Sequence, residues 1–370
     1  MVKCGDEFGK EAFMTHPALT RAQNFAREIG VELPILLAPM AGACPPSLSI
    51  AVASAGGMGS CGALLMKPEA ILAWAREVRA GTNGGFQLNV WIPDPEPRRD
   101  AVHEARLGAF LSEWGPEVAA DAADAKLPDF AAQCEAMLEA GPTAISSIMG
   151  LYPQDFVARC KARGVKWFAT ATTVAEARQA EAAGADVIVA QGMEAGGHRG
   201  AFAAERAEAA LVGLFALLPA VVDAVKIPVV ATGGIADARG VAAALLLGAS
   251  AVQVGTAFLR APEAKLAPAW AAALAAAAPE DTVLTRAFTG RAGRGLASPY
   301  VRAAAAPDAP APAPYPVQRG LTAPMREAAS RAGDISRMQA WAGQAAARAE
   351  AKPAGEIARA LWEGAQSLLG

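Results

Sequence analysis

Short apolar runs and alanine-rich stretches with helical spacing alternate along the chain from about residue 34 to residue 259. The apolar runs fall at 34–38, 59–63, 86–90, 143–148, 166–170, 186–190, 228–231 and 251–254, each of strand length. Helical patterns lie between most of them, as at 69–80, 154–163, 174–183 and 238–247. Strands separated by helices pair in parallel, and runs without polar alternation predict burial on both faces. Eight such units suit an α/β chain closed into a (β/α)₈ barrel. An open doubly wound sheet is the alternative.

Two stretches break the rhythm. Between residues 91 and 142 the chain is long and polar, with Pro93, Pro95, Pro97 and an acidic helical pattern at 121–139, as in a decorated crossover. After the eighth strand a helix is predicted over 262–280, then a loop carrying Arg286, Arg291 and Arg294. The Pro/Ala-rich stretch 303–316 reads either as an extended linker or as an excursion arching over a barrel mouth. A helical pattern over 321–369 returns to pack on the barrel. The expected organisation is a barrel at 1–260, a smaller helical and loop capping region at 261–334 and C-terminal helices at 335–370.

Composition narrows the classes. The 370 residues are 53% hydrophobic and 19% charged, enough for a large core and against disorder. A net charge of −3 offers no basic surface for nucleic acid. Cys4, Cys44, Cys61, Cys134 and Cys160 are scattered without a CxxC pair, as in reduced thiols. None of the three histidines lies at metal-ligand spacing from another, so no protein-held metal is expected. The first seven residues lack the apolar core of a signal peptide. The apolar run 241–259 is broken by Gly248, Ser250, Gln253 and Gly255 into a helix end, a turn and a strand, not a membrane span. The expected location is the cytoplasm.

Candidate chemistry gathers at strand ends, where α/β barrels place theirs. The sixth run leads into Gln191-Gly192-Met193-Glu194-Ala195-Gly196-Gly197-His198-Arg199-Gly200, a glycine-rich loop with one imidazole able to exchange a proton near neutrality. His16 and His103 lie outside the strand ends, as surface residues would. Glu194 is a ligand contact, a helix-dipole partner or simply exposed. Arg199 either attracts an anion or, by default, is exposed. Gly233-Gly234 and Gly255-Thr256 follow the seventh and eighth strands, the two loops from which barrels hold phosphate. The one GxGxxG, at Gly57–Gly62, feeds the second strand instead of opening a helix, so a Rossmann dinucleotide site is disfavoured and flavin mononucleotide (FMN) fits better. Pro39-Met40-Ala41-Gly42 ends the first strand; Gly56-Gly57 reads as a helix stop. Asn89, ending the third, suits a heteroaromatic ring edge or a strand-terminating turn.

These residues resemble the class I nitronate monooxygenases, once called 2-nitropropane dioxygenases. The likeness runs from Ala38–Gly42 through Ala190–Gly200, Thr232–Ile235 and Gln253–Thr256 to Phe288-Thr289-Gly290-Arg291 and Trp341-Ala342-Gly343-Gln344. The resemblance implies a TIM barrel with a capping region and non-covalent FMN. It places Pro39 and Met40 beneath the flavin ring and Asn89 at strand three. Gln191, Gly196, Gly234, Gln253, Val254, Gly255 and Thr256 complete the expected flavin contacts. It also implies His198 as catalytic base and Tyr315 as a lid tyrosine near the substrate. Two departures fall near the expected mouth. Ala43-Cys44-Pro45-Pro46 stands where family members commonly carry Ser-Thr-Pro, and Val90-Trp91-Ile92-Pro93 stands where many carry Phe-Phe-Cys-His.

The implied activity is oxidation of an alkyl nitronate by FMN and molecular oxygen to a carbonyl compound and nitrite, with His198 deprotonating neutral nitroalkanes. Two rivals remain on sequence grounds. One is an NAD(P)H-dependent flavin reductase of quinones or enoyl thioesters on the same barrel. The other is a non-catalytic flavin- or phosphate-binding protein. Oligomeric state is open, since alanine-rich helix faces pack equally well internally or against a partner.

Overall fold

The computed structural model describes residues 16–370; Cys4 and the first seven residues lie outside the described residues. Eight strands form one sheet: β1 Ile35–Leu37, β2 Gly59–Gly62, β3 Phe86–Trp91, β4 Ala144–Ile148, β5 Lys166–Ala171, β6 Val187–Gln191, β7 Val229–Thr232 and β8 Ala251–Val254. Each pairs in parallel with the next, and β8 pairs back onto β1, with Leu36 opposite Gln253. The last seam is a bridge from Leu36 to Met58, where the Leu37 N–H donates to the Met58 carbonyl at 2.9 Å. β1 therefore has a neighbour on both sides. The sheet is a barrel, not an open sheet.

Polarity is graded along the barrel axis. At the N-terminal ends Leu36, Phe168, Val187 and Val230 form an apolar layer, closed by Phe25 and Ile29 from the first helix, Pro17–Glu28, and its C-cap. One layer up, Gln87 Nε2 donates to the Leu37 carbonyl at 3.1 Å and to Gln253 Oε1 at 3.0 Å. Above that, Asn89, Thr170, Gln191 and Thr232, at or near the C-terminal ends of their strands, line open space. The alternate residues, such as Ile145, Trp167 and Ile188, point outward into the core beneath the helices. Burial of each such side chain contributes about 1.5–3 kcal/mol.

A second, smaller core sits over the mouth. Leu107 and Leu111 from the decorated crossover pack with Phe288, Tyr300, Val317 and Met325 from the region after β8. Three short antiparallel strands, Thr282–Thr285, Gly293–Leu296 and Gly197–His198, tie this cap to the loop after β6.

The helical expectations outside the barrel need correcting. The acidic pattern at 121–139 is a 3₁₀ turn, Ala122–Asp124, and a helix, Phe130–Ala140, separated by Pro128 and restarted by Asp129, which accepts from the Ala132 N–H at 2.7 Å. The predicted helix at 262–280 is likewise split; Pro268 restarts it as Pro268–Ala276. After residue 335 there is one α-helix, Ala354–Leu369, packed on Ala238–Leu246 and Pro46–Ser54. The stretch before it runs back to the mouth. Helix Ala101–Ser112, capped by Asp100, has no counterpart in the sequence reading. Among the described residues no helix is long and apolar enough to cross a membrane.

Candidate active site

A cavity of about 700 Å³ opens at the C-terminal ends of the strands, under the cap. It is lined by Pro39, Met40, Asn89, Gln191, Gly196, Gly234, Gln253, Gly255, Thr256 and His198. Of the residues expected at the site only Val254 is elsewhere. Its side chain faces outward into the helix-covered core, and its carbonyl accepts from the Ala38 N–H at 2.8 Å. Strand alternation explains this, because Gln253 points inward and its neighbour must point out.

The floor is the turn after β1. Cys44 Sγ accepts from the Met40 N–H at 3.4 Å and donates to the Ala38 carbonyl at 3.3 Å, so the thiol clasps the Pro39–Met40 turn. Burial pushes that thiol up to about 12, leaving it protonated. Gly62 lets the turn lie across β2, since a Cβ there would sit 2.5 Å from the Ala41 nitrogen.

Two loops offer donors without acceptors. The N–H groups of Gly234 and Ile235 after β7, and of Gly255 and Thr256 after β8, donate to no acceptor among the described residues. Gly233 and Gly234 hold φ of +117° and +68°, a conformation side chains resist, and so turn these amides toward the cavity side. Helix Ala238–Leu246 follows the first of these loops. Its N-terminus is capped by Asp237, which accepts from the Gly240 N–H at 3.1 Å. Adjacent loop amides around a concave space make an anion cradle without a charged side chain.

The loop after β6 is held by its own polar side chains. Gln191 Nε2 donates to the His198 carbonyl at 3.0 Å, and its Oε1 accepts from the Gly200 N–H at 2.8 Å. Arg199, expected at the surface, is buried and donates to the Gln191 and Gly192 carbonyls at 3.2 and 2.7 Å. The guanidinium takes up carbonyls that the turn leaves inside, and burial pulls it down to about 10. Glu194 accepts from the Leu214 N–H at 2.8 Å, at the start of helix Leu214–Ala224, the helix-dipole role among its three readings. Gly196 passes so close to the 342–343 backbone that a Cβ would lie 2.5 Å from the Gly343 nitrogen. Thr256 Oγ1 accepts from that same Gly343 N–H at 3.1 Å.

His198 sits in an aromatic slot. Its ring meets Trp91 at 4.5 Å and Trp341 at 4.8 Å between centroids, both edge-on, and Nε2 lies 2.8 Å from Thr289 Oγ1. Desolvation lowers its pKa to about 3, with Arg291 and Arg319 adding repulsion, so the ring is neutral. Tyr315 packs tilted against Trp91 at 5.1 Å between centroids, and its buried hydroxyl has no partner among the described residues. The 303–316 stretch therefore arches over the mouth. Arg319, one helical turn on, lines the cavity with a guanidinium that makes no ion pair or hydrogen bond among the described residues. His16 caps the first helix through Nδ1 and His103 meets the Ala311 carbonyl, both away from this site.

A strand-end histidine on this barrel, facing an anion cradle, coincides with a full-length family match. The nitronate monooxygenase model covers residues 24–364. The chain belongs to the nitronate monooxygenase family. Members are flavin-dependent oxidoreductases, and this chain is an enzyme of that type. It is 40% identical to the nitronate monooxygenase of Pseudomonas aeruginosa, over 92% of this chain and 98% of that one. It is 38% identical to that of Paraburkholderia phytofirmans, over 90% and 92%. Among solved structures, nitroalkane oxidase from Streptomyces ansochromogenes aligns with a TM-score of 0.84 at 37% identity, over 93% of this chain and all of the other. FabK from Thermotoga maritima aligns at 0.70 and 29%, over 93% and 96%.

The arrangement adds residues the sequence reading did not single out. Arg319 and Thr289 reach the cavity from the cap, and Trp91 and Trp341 form the walls of the histidine slot. Thr289 and Trp341 carried a signal as parts of the motifs Phe288–Arg291 and Trp341–Gln344, and Trp91 as part of the departure Val90–Pro93 near the expected mouth; Arg319 carried none.

Proposed function

We propose that this family member is an FMN-dependent monooxygenase that oxidises alkyl nitronates with molecular oxygen to a carbonyl compound and nitrite. The observation carrying this reading is a neutral, aromatic-walled His198 at the same cavity as two loops of acceptor-free amides. FMN fits those loops. Its phosphate would take the Gly234, Ile235, Gly255 and Thr256 N–H groups, with Pro39 and Met40 beneath the ring and Asn89 and Gln253 at its polar edges. When bound, FMN would supply a one-electron acceptor for the nitronate, with molecular oxygen as the terminal oxidant. Gln191 acts partly by holding the β6 loop together, and Gly196 and Thr256 by closing on Gly343 of the 342–344 segment.

Substrate binding is supported by charge. Arg319 is a cavity-facing cation without a protein counter-ion, which suits an anionic nitronate and, beyond it, one bearing a carboxylate such as propionate 3-nitronate. The Tyr315 hydroxyl is a free donor for a nitro oxygen. For a neutral nitroalkane, His198 takes the α-proton.

Oxygen uptake with propionate 3-nitronate, run beside NADH, tests the activity. Turnover with the nitronate alone is expected. Anaerobic flavin bleaching by NADH and not by nitronate would overturn the reading in favour of a reductase. The cradle has its own test. Gly233→Ala forces a side chain to φ of +117°, a strain of about 1–3 kcal/mol that turns the amides away. FMN affinity, followed by fluorescence on the flavin-free protein, is expected to fall about tenfold. Wild-type affinity in this variant would remove the phosphate from that loop.

A further inference from the structure

His198 lacks the partner that orients most catalytic imidazoles. Among the described residues no carboxylate touches it, and the charges that face it, Arg291 and Arg319, are both positive. What Nε2 does meet is the Thr289 hydroxyl, 2.8 Å away and buried. Nδ1 has no protein partner, on a residue that lines the cavity.

The hydroxyl's other neighbours give its proton a place to go. Thr289 Oγ1 lies 3.2 Å from the Arg291 carbonyl, to which it can donate, and accepts from the Arg291 N–H at 3.4 Å. A hydroxyl has one proton, so with that proton committed it faces Nε2 as an acceptor. In that arrangement the imidazole carries its proton on Nε2 and presents a lone pair on Nδ1. The turn bearing Thr289 cannot swing to undo this. Gly290 holds φ of +86°, and a Cβ there would lie 2.6 Å from the Tyr315 nitrogen, so the turn is pressed on the lid backbone. The Arg291 guanidinium beside it donates to Asp94 Oδ2 at 2.8 Å and to the Ala201 carbonyl at 3.1 Å. On the other side, pairing of His198 with Gly293 fixes the histidine backbone in register.

We propose that Thr289 is a positioning residue that fixes the His198 tautomer, so that Nδ1 is the atom that takes the α-proton of a neutral nitroalkane. This rests on His198 being the base. In the step, the α-carbon–hydrogen bond breaks and its electron pair moves into the nitro group, giving the nitronate. The proton joins Nδ1, and the resulting imidazolium keeps its Nε2–H on the Thr289 hydroxyl. That bond becomes charge-assisted only as the proton transfers, so it favours the transition state over the ground state. A preformed nitronate needs no such transfer.

Two measurements on the flavin-loaded enzyme test the proposal. Long-range ¹H–¹⁵N spectra of histidine-labelled protein, which has three histidines, should show wild-type His198 protonated on Nε2. Thr289→Val should give a mixture of tautomers and Thr289→Ser the wild-type form. In kinetics, Thr289→Val should lower nitroalkane kcat/KM at least about tenfold more than nitronate kcat/KM, as loss of a hydrogen bond to a charged group implies. Thr289→Ser should recover most of it. A wild-type ring protonated on Nδ1, a tautomer unmoved by Thr289→Val, or equal loss on both substrates would overturn it. If His198→Asn spares nitroalkane turnover, the base assignment fails by itself, and the proposal with it, while the spectra still report whether Thr289 sets the tautomer.

Discussion

Replacing His198 by asparagine is expected to lower kcat/KM for neutral nitroalkanes by about 10²–10⁴-fold, the range that general-base help supplies. Oxidation of preformed nitronate and retention of flavin should largely survive. The side chain's surroundings explain the split. With a pKa near 3 the imidazole is unprotonated at any working pH, so it is always available but intrinsically a weak base. Its strength in the reaction comes from the anion that forms beside it, since a nitronate next to an imidazolium is an ion pair in a poorly solvated slot. Arg319 takes part of that negative charge. Equal loss of nitroalkane and nitronate activity in His198→Asn would sink the assignment.

The same environment leaves a mark on stability. The folded pKa lies below the unfolded value of about 6.5, so between these values the unfolded chain binds more protons. Acidification from pH 6.5 toward 3 therefore destabilises the fold, by about 2 kcal/mol at pH 5 from this residue. In the flavin-free protein His198→Asn should unfold less readily in acid than wild type, by about that difference. Parallel acid-unfolding curves would contradict the burial argument.

The barrel was readable because burial and periodicity agree there. Each of the eight apolar runs became a strand within a residue or two of its expected ends, since a strand covered on both faces leaves few polar positions to blur them. Glycines marked the strand-end loops for a related reason: positive φ at Gly233 and Gly234, and close backbone approach at Gly62 and Gly196, admit little else. The cap was not readable in this way. One of its pairings joins residues about a hundred apart, as in His198 and Gly293, and a two-residue strand has no pattern to detect. Arg199 was misplaced for a different reason. A guanidinium defaults to the surface unless something inside needs it, and the Gln191 and Gly192 carbonyls appear only once the turn is folded.

Loss of the Asp94 carboxylate should be the most damaging single change in the cap. Asp94, in the crossover after β3, accepts from Arg291 Nε at 2.8 Å and from its NH2 at 2.5 Å. The guanidinium is 1% exposed and the carboxylate 22%, so the cation depends on this one partner more than the anion does. Asp94→Ala leaves an uncompensated buried charge, at a cost of about 3 kcal/mol, the low end for breaking a buried pair because Asp94 keeps some solvent. The loss should not stop at stability. Arg291 lies two residues beyond Thr289 and already repels a proton on His198, so freeing its charge should also disturb the base. Asp94→Ala is thus expected to unfold at lower denaturant and to lose nitroalkane turnover more than nitronate turnover. The double variant Asp94→Ala/Arg291→Met separates charge from packing, since it removes both ions and keeps an apolar stem of similar length. It should regain most of the lost stability. If it is as unstable as Asp94→Ala, the cap is held by side-chain packing and by the Arg291 bond to the Ala201 carbonyl, and the ion pair is incidental.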